Sequence, residues 1–137
     1  MSTEPVYAII GCGNISRFHF GGLMAAGARI ARVVDISEKA AAPWAAKTGA
    51  VYSADYRDAL ADPAVTAVSV LTGARYHRDI CLAAIAAGKD VICEKTMAND
   101  AAEALEIRAA ARAAAARAAT AKAATAPATA AGGREGG

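Results

Sequence analysis

The chain has 137 residues, a formal net charge of +2 and 55% hydrophobic residues, a length that predicts one domain with a buried core. The charge gives no indication of a polyanionic partner, no apolar run is long enough to cross a membrane, and the first residues lack the basic and apolar regions of a secretory signal. The three cysteines are widely spaced and match neither a disulfide framework nor a metal site. We therefore expect a cytoplasmic protein without a bound metal.

The first strand-to-helix junction carries the most informative motif. A short apolar run over residues 6–10 leads into Gly11-Cys-Gly13, and an amphipathic helical pattern begins at Ile15. In dinucleotide-binding proteins this arrangement gives a tight turn, a close approach of the backbone to a pyrophosphate, and a helix N-terminus that attracts negative charge. Ser16 stands at the third position of the glycine pattern, where its small side chain still permits close helix–strand packing. The segment predicts a pyrophosphate-binding loop.

The second predicted strand, residues 29–35, ends on an acidic residue. Asp35 follows Gly13 by roughly twenty residues, which is the spacing of the dinucleotide fingerprint. A carboxylate at this position accepts hydrogen bonds from both ribose hydroxyls of an adenosine and repels a 2′-phosphate, so NAD is favoured over NADP. Ser37, close by, keeps NADP as the less favoured alternative.

Helix and strand patterns continue to alternate as far as residue 99. Ser37 can cap a helix over residues 38–47, in which Pro43 predicts a kink or a later start at Trp44. The further predicted elements are a strand at 50–52, a helix at 56–61 capped by Asp55, an almost wholly apolar strand at 65–71, a helix at 75–87 and a strand at 91–93. This order predicts an α/β fold, a Rossmann-type doubly wound parallel sheet of about five strands.

The composition changes after residue 99. Residues 100–119 are almost entirely Ala with Glu and Arg and predict a helix, whereas residues 120–137 are rich in Ala, Thr, Pro and Gly and predict a disordered tail. One explanation is a natural spacer; another, which we favour, is a chain truncated or shifted out of frame within this helix. The basic residues of this region recur at helical spacing without aromatic residues between them, so a nucleic-acid partner is not expected.

Two further segments fall at the carboxyl ends of predicted strands, where open α/β sheets bind ligands. Leu71-Thr72 follows the fourth strand, and Glu94-Lys95 follows the fifth. A charged pair at a strand end needs a partner. The pair is therefore interpreted either as a structural ion pair or as a lysine directed at a bound cofactor and substrate.

In their order and spacing these motifs resemble the Gfo/Idh/MocA family, which includes glucose–fructose oxidoreductase and inositol 2-dehydrogenase. The resemblance covers roughly residues 5–105, the N-terminal cofactor domain, and rests on Gly11-Cys-Gly-Asn-Ile-Ser16, Asp35, the run Asp55-Tyr-Arg-Asp-Ala-Leu-Ala-Asp-Pro63, Leu71-Thr72 with His77, and Glu94-Lys95. It implies an NAD- or NADP-dependent oxidoreductase that oxidises a sugar or polyol hydroxyl or reduces the ketone.

The resemblance also implies individual roles. The cofactor-binding residues would be Gly11, Gly13, Asn14 and Ile15 at the pyrophosphate, Asp35 at the adenosine ribose, Leu71, Thr72 and His77 along the cofactor, and Glu94 near the nicotinamide ribose. Lys95 matches the family's active-site lysine, which hydrogen-bonds the reacting substrate oxygen; its ammonium can stabilise developing alkoxide charge.

The chain also departs from the family pattern. The family's usual Glu-Lys-Pro is Glu94-Lys95-Thr96, so the tertiary amide that readily adopts the cis form is missing, and the usual Thr-Pro-Asn is Thr72-Gly73-Ala74. The C-terminal domain that normally supplies substrate contacts and an acid–base histidine is not found. Of the two histidines, His77 is interpreted either as a cofactor contact or as a polar residue at a helix start, and His19 as structural or solvent-facing.

These observations leave two main hypotheses. The chain is the cofactor-binding half of a sugar or polyol dehydrogenase, weakly active or inactive by itself, or it is a stand-alone dinucleotide-binding module that senses NAD or docks on a partner. Its expected organisation is a cofactor domain at residues 1–99, the Ala-rich helix at 100–119 and the tail at 120–137. Cys12, inside the glycine turn, is a candidate oxidation site.

Overall fold

Five short strands alternate with five helices in the computed structural model of the chain, which describes residues 4–127. The strands are β1 (Val6–Ile10), β2 (Arg29–Val34), β3 (Val51–Ser53), β4 (Ala67–Val70) and β5 (Asp90–Cys93). The helices are α1 (Ser16–Ala25), α2 (Glu38–Thr48), α3 (Tyr56–Ala61), α4 (Ala74–Ala86) and α5 (Ala101–Thr125). No helix among these is long and apolar enough to span a membrane.

The strands form one parallel sheet in the order β3-β2-β1-β4-β5. From β1 the chain moves outward through β2 to β3, then crosses back to place β4 on the other side of β1 and β5 at the far edge. The strand order therefore reverses between β1 and β4, and a crevice opens at the carboxyl ends of those two strands. This topology confirms the predicted Rossmann-type doubly wound sheet.

Each face of the sheet buries its own apolar cluster, because successive strand residues point to opposite faces. Phe20 and Trp44 stack at 4.4 Å between ring centroids on the face covered by α1 and α2. The buried members of that cluster are Ile9, Cys12, Phe20, Ile30, Val33, Ala41 and Leu71. The opposite cluster, under α3, α4 and α5, consists of Ala8, Ile10, Val34, Ala59, Val65, Val68, Val70, Ile80, Cys81, Ala84, Ala98 and Ile107.

One expectation about α2 is wrong. The later start at Trp44 does not occur: a single helix runs from Glu38 to Thr48, with Pro43 inside it. The Ser37 hydroxyl caps its first turn by accepting from the N–H of Ala40, and the helix packs Trp44 against α1. This tertiary packing compensates for the intrahelical hydrogen bond that a proline removes.

The Ala-rich helix is longer than expected, since α5 extends to Thr125 rather than ending near residue 119. Its first turn is held by a reciprocal cap in which Asp100 accepts from the N–H of Glu103 and Glu103 accepts from the N–H of Asn99. Ile107 is its buried contact with the core. Part of the expected tail, residues 120–125, is thus helical, because Ala favours helix over other conformations; residues 128–137 lie outside the described part.

Candidate functional site

Four predicted site residues lie side by side along the carboxyl edge of the sheet. The order across the strand ends is Asp35, Gly11, Leu71 and Glu94, and the N–H of each extends the ladder to the neighbouring strand. The hydrogen bonds run from Asp35 to the carbonyl of Ser53 (3.3 Å), from Gly11 to Val34 (2.8 Å), from Leu71 to Ile10 (2.8 Å) and from Glu94 to Val70 (3.0 Å). Residues distant in the sequence are therefore brought together at the topological switch point.

The two glycines of the loop differ in their surroundings. Gly11 has a φ of +103°, and a Cβ atom there would lie 2.9 Å from the carbonyl carbon of Leu71 and from the nitrogen of Thr72. A side chain at Gly13, in contrast, would meet nothing within 4 Å. Gly11 is required by the fold itself, whereas Gly13 leaves open space above the loop in which a phosphate group would fit.

The helices that begin at the switch point lack side-chain caps. Ile15 and Gly73 occupy the N-cap positions of α1 and α4 and offer no side-chain acceptor, while side chains cap α2, α3 and α5. No acidic residue lies in the first turn of α1 or α4. Both positive dipole ends are thus left for an external anion, which is the arrangement a pyrophosphate requires.

Asp35 is half-buried at the end of β2, and its carboxylate organises the loops beside it. Oδ2 accepts from the N–H of Cys12 and Oδ1 from the N–H of Ser37, both at 2.8 Å. Its backbone carbonyl accepts from the hydroxyl of Tyr52 at 3.0 Å. Each carboxylate oxygen retains a second acceptor position, so ribose hydroxyls remain possible donors to this residue.

The Cys12 side chain points into the core and not into the crevice. It is 8% exposed. Burial, and to a lesser degree the negative charge of Asp35, raise the pKa of the Cys12 thiol to about 12. The thiol is therefore neutral at physiological pH, and a neutral thiol is a poor nucleophile. The structure thus argues against the expected oxidation site.

His77 is buried at the start of α4, only 1% exposed. Its Nδ1 lies 2.7 Å from the carbonyl oxygen of Thr96, and its Nε2 lies 2.7 Å from that of Thr72. The ring donates to both carbonyls at once only when each nitrogen carries a proton. His77 therefore joins the loops after β4 and β5, and any effect that it has on a cofactor passes through those loops.

Glu94 and Lys95 lie where β5 ends, Glu94 half-buried and Lys95 exposed. Oε2 of Glu94 lies 2.8 Å from Nε2 of His19 on α1. That hydrogen bond lowers the pKa of Glu94, burial opposes it, and the backbone N–H and charge of Lys95 lower it further. The peptide bond between Lys95 and Thr96 is cis although Thr96 is not a proline. The contact of His19 with the site is the feature that sequence reasoning missed.

The remaining predicted site residues surround the same crevice. Asn14 is exposed on the glycine loop, Ile15 is 36% exposed at the start of α1, and Thr72 is half-buried after β4. Leu71 is buried and packs beneath the loop. Between residues 4 and 127 there is no cluster of three or more His, Cys, Asp or Glu side chains that could hold a metal ion.

The sequence is similar to curated dehydrogenases and reductases. It is 40% identical over 108 residues to inositol 2-dehydrogenase of Gluconacetobacter diazotrophicus, covering 74% of this chain and 32% of that protein. It is 35% identical over 108 residues to 1,5-anhydro-D-fructose reductase of Ensifer adhaerens, covering 77% and 32%. The chain thus spans about a third of the length of these relatives.

Solved structures share the fold. The WlbA dehydrogenase of Chromobacterium violaceum, in complex with NADH and UDP-GlcNAcA, aligns with a TM-score of 0.79 at 31% identity over 83% of this chain and 34% of that one. GenD2 from gentamicin A biosynthesis, in complex with NAD, also gives 0.79 at 31% identity over 84% and 33%. KijD10, a 3-ketoreductase from Actinomadura kijaniata in complex with NADP and TDP-benzene, gives 0.73 at 25% identity over 80% and 34%.

The family model that matches the chain describes an oxidoreductase family with an NAD-binding Rossmann fold and spans residues 6–122. That match extends from β1 into the last turns of α5. The parallel five-stranded fold agrees with that description. The chain belongs to the Gfo/Idh/MocA oxidoreductase family and contains its NAD-binding Rossmann domain.

Proposed function

We propose that this chain is the cofactor-binding half of an oxidoreductase that transfers hydride between a nicotinamide cofactor and a sugar or polyol hydroxyl or ketone. The observation that carries the proposal is the row of Asp35, Gly11, Leu71 and Glu94 across adjacent strand ends, beside two uncapped helix N-termini. The relatives supply the substrate class, since their names concern inositol, anhydrofructose and nucleotide-linked sugars.

The residues at the crevice fit a dinucleotide. Gly13 and the first turn of α1 would hold the pyrophosphate. The space around Gly13 is open, and the positive end of the α1 dipole has no side-chain cap. Asp35 would accept from the adenosine ribose. Its negative charge disfavours a 2′-phosphate, which is the argument for NAD over NADP. Glu94 would lie near the nicotinamide ribose.

The bound nicotinamide would supply the hydride chemistry. Lys95 is the residue that we expect to hydrogen-bond the reacting oxygen of the substrate. Its side chain is exposed at the end of β5, and Glu94 precedes it. An ammonium group at this position stabilises the negative charge that develops on a substrate oxygen. We propose no acid–base residue, because the imidazole of His77 is buried against two carbonyls and that of His19 is engaged by Glu94. The chain alone is therefore expected to bind cofactor and to turn over weakly or not at all.

Titration of the purified chain with NADH and NADPH, followed by nicotinamide fluorescence, tests this proposal. The expected result is saturable NADH binding that is tighter than NADPH binding, with the ratio falling in Asp35→Asn because the repelling charge is removed. Lys95→Met is the matched variant: it should bind NADH as the wild type does. Cooperative thermal unfolding without any NADH binding would reject the proposal.

A non-catalytic docking module is the second candidate. The observation in its favour is an apolar groove of about 480 Å³ on α5, which Met97 and Leu105 line from exposed positions. Turnover of myo-inositol with NAD by the wild-type chain, abolished in Lys95→Met, would exclude this candidate. Absorbance at the NADH wavelength measures that turnover directly.

A further inference from the structure

We propose that His19 is a positioning residue that holds Glu94 in place and thereby couples the glycine-loop helix α1 to the Glu94–Lys95 segment. The inference rests on the proposed function, because it concerns the nicotinamide end of the same site. It assigns a role to a residue that sequence reasoning left as structural or solvent-facing.

The contact between His19 and Glu94 bridges elements that do not pair. The two residues are 75 positions apart, and β5 is separated from β1 by β4 in the sheet. Backbone hydrogen bonds therefore set the position of β5 relative to β4 but not the orientation of the Glu94 carboxylate. The 2.8 Å contact from Nε2 of His19 to Oε2 of Glu94 fixes that orientation.

The environment makes the contact stronger than an ordinary surface pair. The side chains of His19 and Glu94 are 22% and 25% exposed, so both are partly shielded from water. The hydrogen bond from His19 is the largest influence lowering the pKa of Glu94, which keeps the carboxylate ionised. An ionised carboxylate only accepts hydrogen bonds, so Nε2 of His19 is the donor.

The segment is held on its other side as well. Nδ1 of His77 lies 2.7 Å from the carbonyl oxygen of Thr96, two residues beyond Glu94. The two histidines of the chain thus contact the residues immediately before and after Lys95. His19 on α1 contacts the carboxylate of Glu94, and His77 on α4 contacts the carbonyl of Thr96. Lys95 has an exposed side chain, yet its backbone is fixed from both sides. His19 therefore holds the Glu94 carboxylate in the orientation in which it would accept hydrogen bonds from the nicotinamide ribose.

The test compares two ligands that differ at one end. NADH carries the nicotinamide riboside, while ADP retains the adenosine and both phosphates but lacks the nicotinamide and its ribose. For His19→Leu we expect NADH binding to weaken about tenfold, because one charge-assisted hydrogen bond is lost. The affinity for ADP, which has no group that reaches Glu94, should change less than about twofold. His19→Gln, which retains an N–H donor, should recover NADH binding to within about threefold of the wild type.

A double-mutant cycle with Glu94 tests whether His19 acts through that residue. In the Glu94→Ala background, which removes the acceptor of this hydrogen bond, His19→Leu should have no further effect on the NADH dissociation constant. An equal tenfold loss in both backgrounds would overturn the inference, as would equal losses for NADH and ADP in His19→Leu. Circular dichroism melts of every variant verify that the compared proteins are folded.

The same experiment separates this inference from the proposed function. A folded wild-type chain that binds neither NADH nor ADP would reject the dinucleotide site, and the role of His19 with it. A wild-type chain that binds both ligands, with His19→Leu unchanged for both, would reject only the role of His19. Met24→Ala, at an exposed position of the same helix, is the control that should match the wild type.

Discussion

The backbone N–H of Cys12 donates to Oδ2 of Asp35 over 2.8 Å, across 23 positions of sequence. The residue predicted to receive a ribose is thus also the residue that shapes the glycine loop. Its other oxygen accepts from the N–H of Ser37 and orders the entry to α2. Loop geometry and the proposed ribose recognition therefore depend on one carboxylate, and a substitution there should affect both.

Asp35→Ala should lower the free energy of unfolding by about 1–3 kcal/mol and weaken NADH binding at the same time. The alanine removes the acceptor of two N–H groups, that of the buried Cys12 and that of the exposed Ser37, and the first of these carries most of the cost. Urea unfolding followed by circular dichroism measures the first effect. Asp35→Asn is the matched control, since its one acceptor oxygen serves one of the two N–H groups and should give an intermediate stability. An Asp35→Ala protein as stable as the wild type would contradict this account of the loop.

The two loop glycines should respond differently to alanine. Gly11→Ala puts a Cβ 2.9 Å from the backbone of Leu71 and Thr72 at a positive φ, so we expect a loss of about 3 kcal/mol or an unfolded chain. Gly13→Ala meets open space and should leave stability within about 0.5 kcal/mol of the wild type.

Binding should show the complementary pattern, because a methyl group at Gly13 occupies the space assigned to the pyrophosphate. The NADH dissociation constant of Gly13→Ala should rise while its melting curve stays unchanged. Equal melting temperatures for the two glycine variants would show that the close approach of the Leu71 and Thr72 backbone does not exclude a side chain at Gly11.

The cysteines should react with iodoacetamide in a defined order. Burial and the negative charge of Asp35 raise the pKa of the Cys12 thiol to about 12. The hydrogen bond with Cys93, and secondly burial, raise the pKa of Cys81. The hydrogen bond from Cys81 lowers the pKa of Cys93, burial opposes this, and the charge of His77 and its hydrogen bond lower the pKa further. Cys93 is only partly buried. At neutral pH, Cys93 should therefore be alkylated first, as followed by peptide mass spectrometry. Faster labelling of Cys12 would contradict the buried placement of its thiol.

Acid should weaken the fold partly through Asp62. Its carboxylate accepts from Nε of Arg32 at 2.8 Å and from the N–H of Ala64, and these contacts lower the pKa of Asp62 in the folded state. A folded-state pKa below the unfolded value contributes stability above about pH 4, and that stability is lost as the pH falls through the folded pKa.

Asp62→Asn should therefore melt at a lower temperature than the wild type at pH 7, and the difference should shrink as the pH falls below about 4. Asp58→Asn, a charge-matched change at an exposed position of α3, is the control. A difference that stays constant down to pH 2 would show that the ionised carboxylate of Asp62 does not contribute.

The attachment of α5 should depend on Ile107. This side chain is 7% exposed and packs into the cluster beneath α4, whereas Leu105, two residues earlier, is 52% exposed. Ile107→Ala should reduce the free energy of unfolding by about 2–4 kcal/mol. Leu105→Ala should stay within about 0.5 kcal/mol of the wild type. Equal effects of the two substitutions would mean that α5 is not anchored through this face.

Much of the fold was determined by the sequence itself, because periodicity and turn chemistry are local properties. The bounds of α3 and the caps provided by Ser37 and Asp55 follow from a few consecutive residues and were predicted correctly. The buried strand β4 was predicted from its almost wholly apolar run, since a parallel strand is covered on both faces. The glycine loop followed by Asp35 was enough to predict an NAD-binding Rossmann domain.

Only the tertiary structure decided which distant side chains meet. Helical periodicity places His19 on α1 but contains no information about β5. The contact of His19 with Glu94 therefore could not be predicted from the sequence. The two carbonyl contacts of His77 and the continuous helix through Pro43 likewise depend on packing against other elements. Such contacts join residues far apart along the chain, and their free energy depends on how the strands and helices are arranged around them. Local propensity identifies the elements, while the arrangement of the sheet determines their partners.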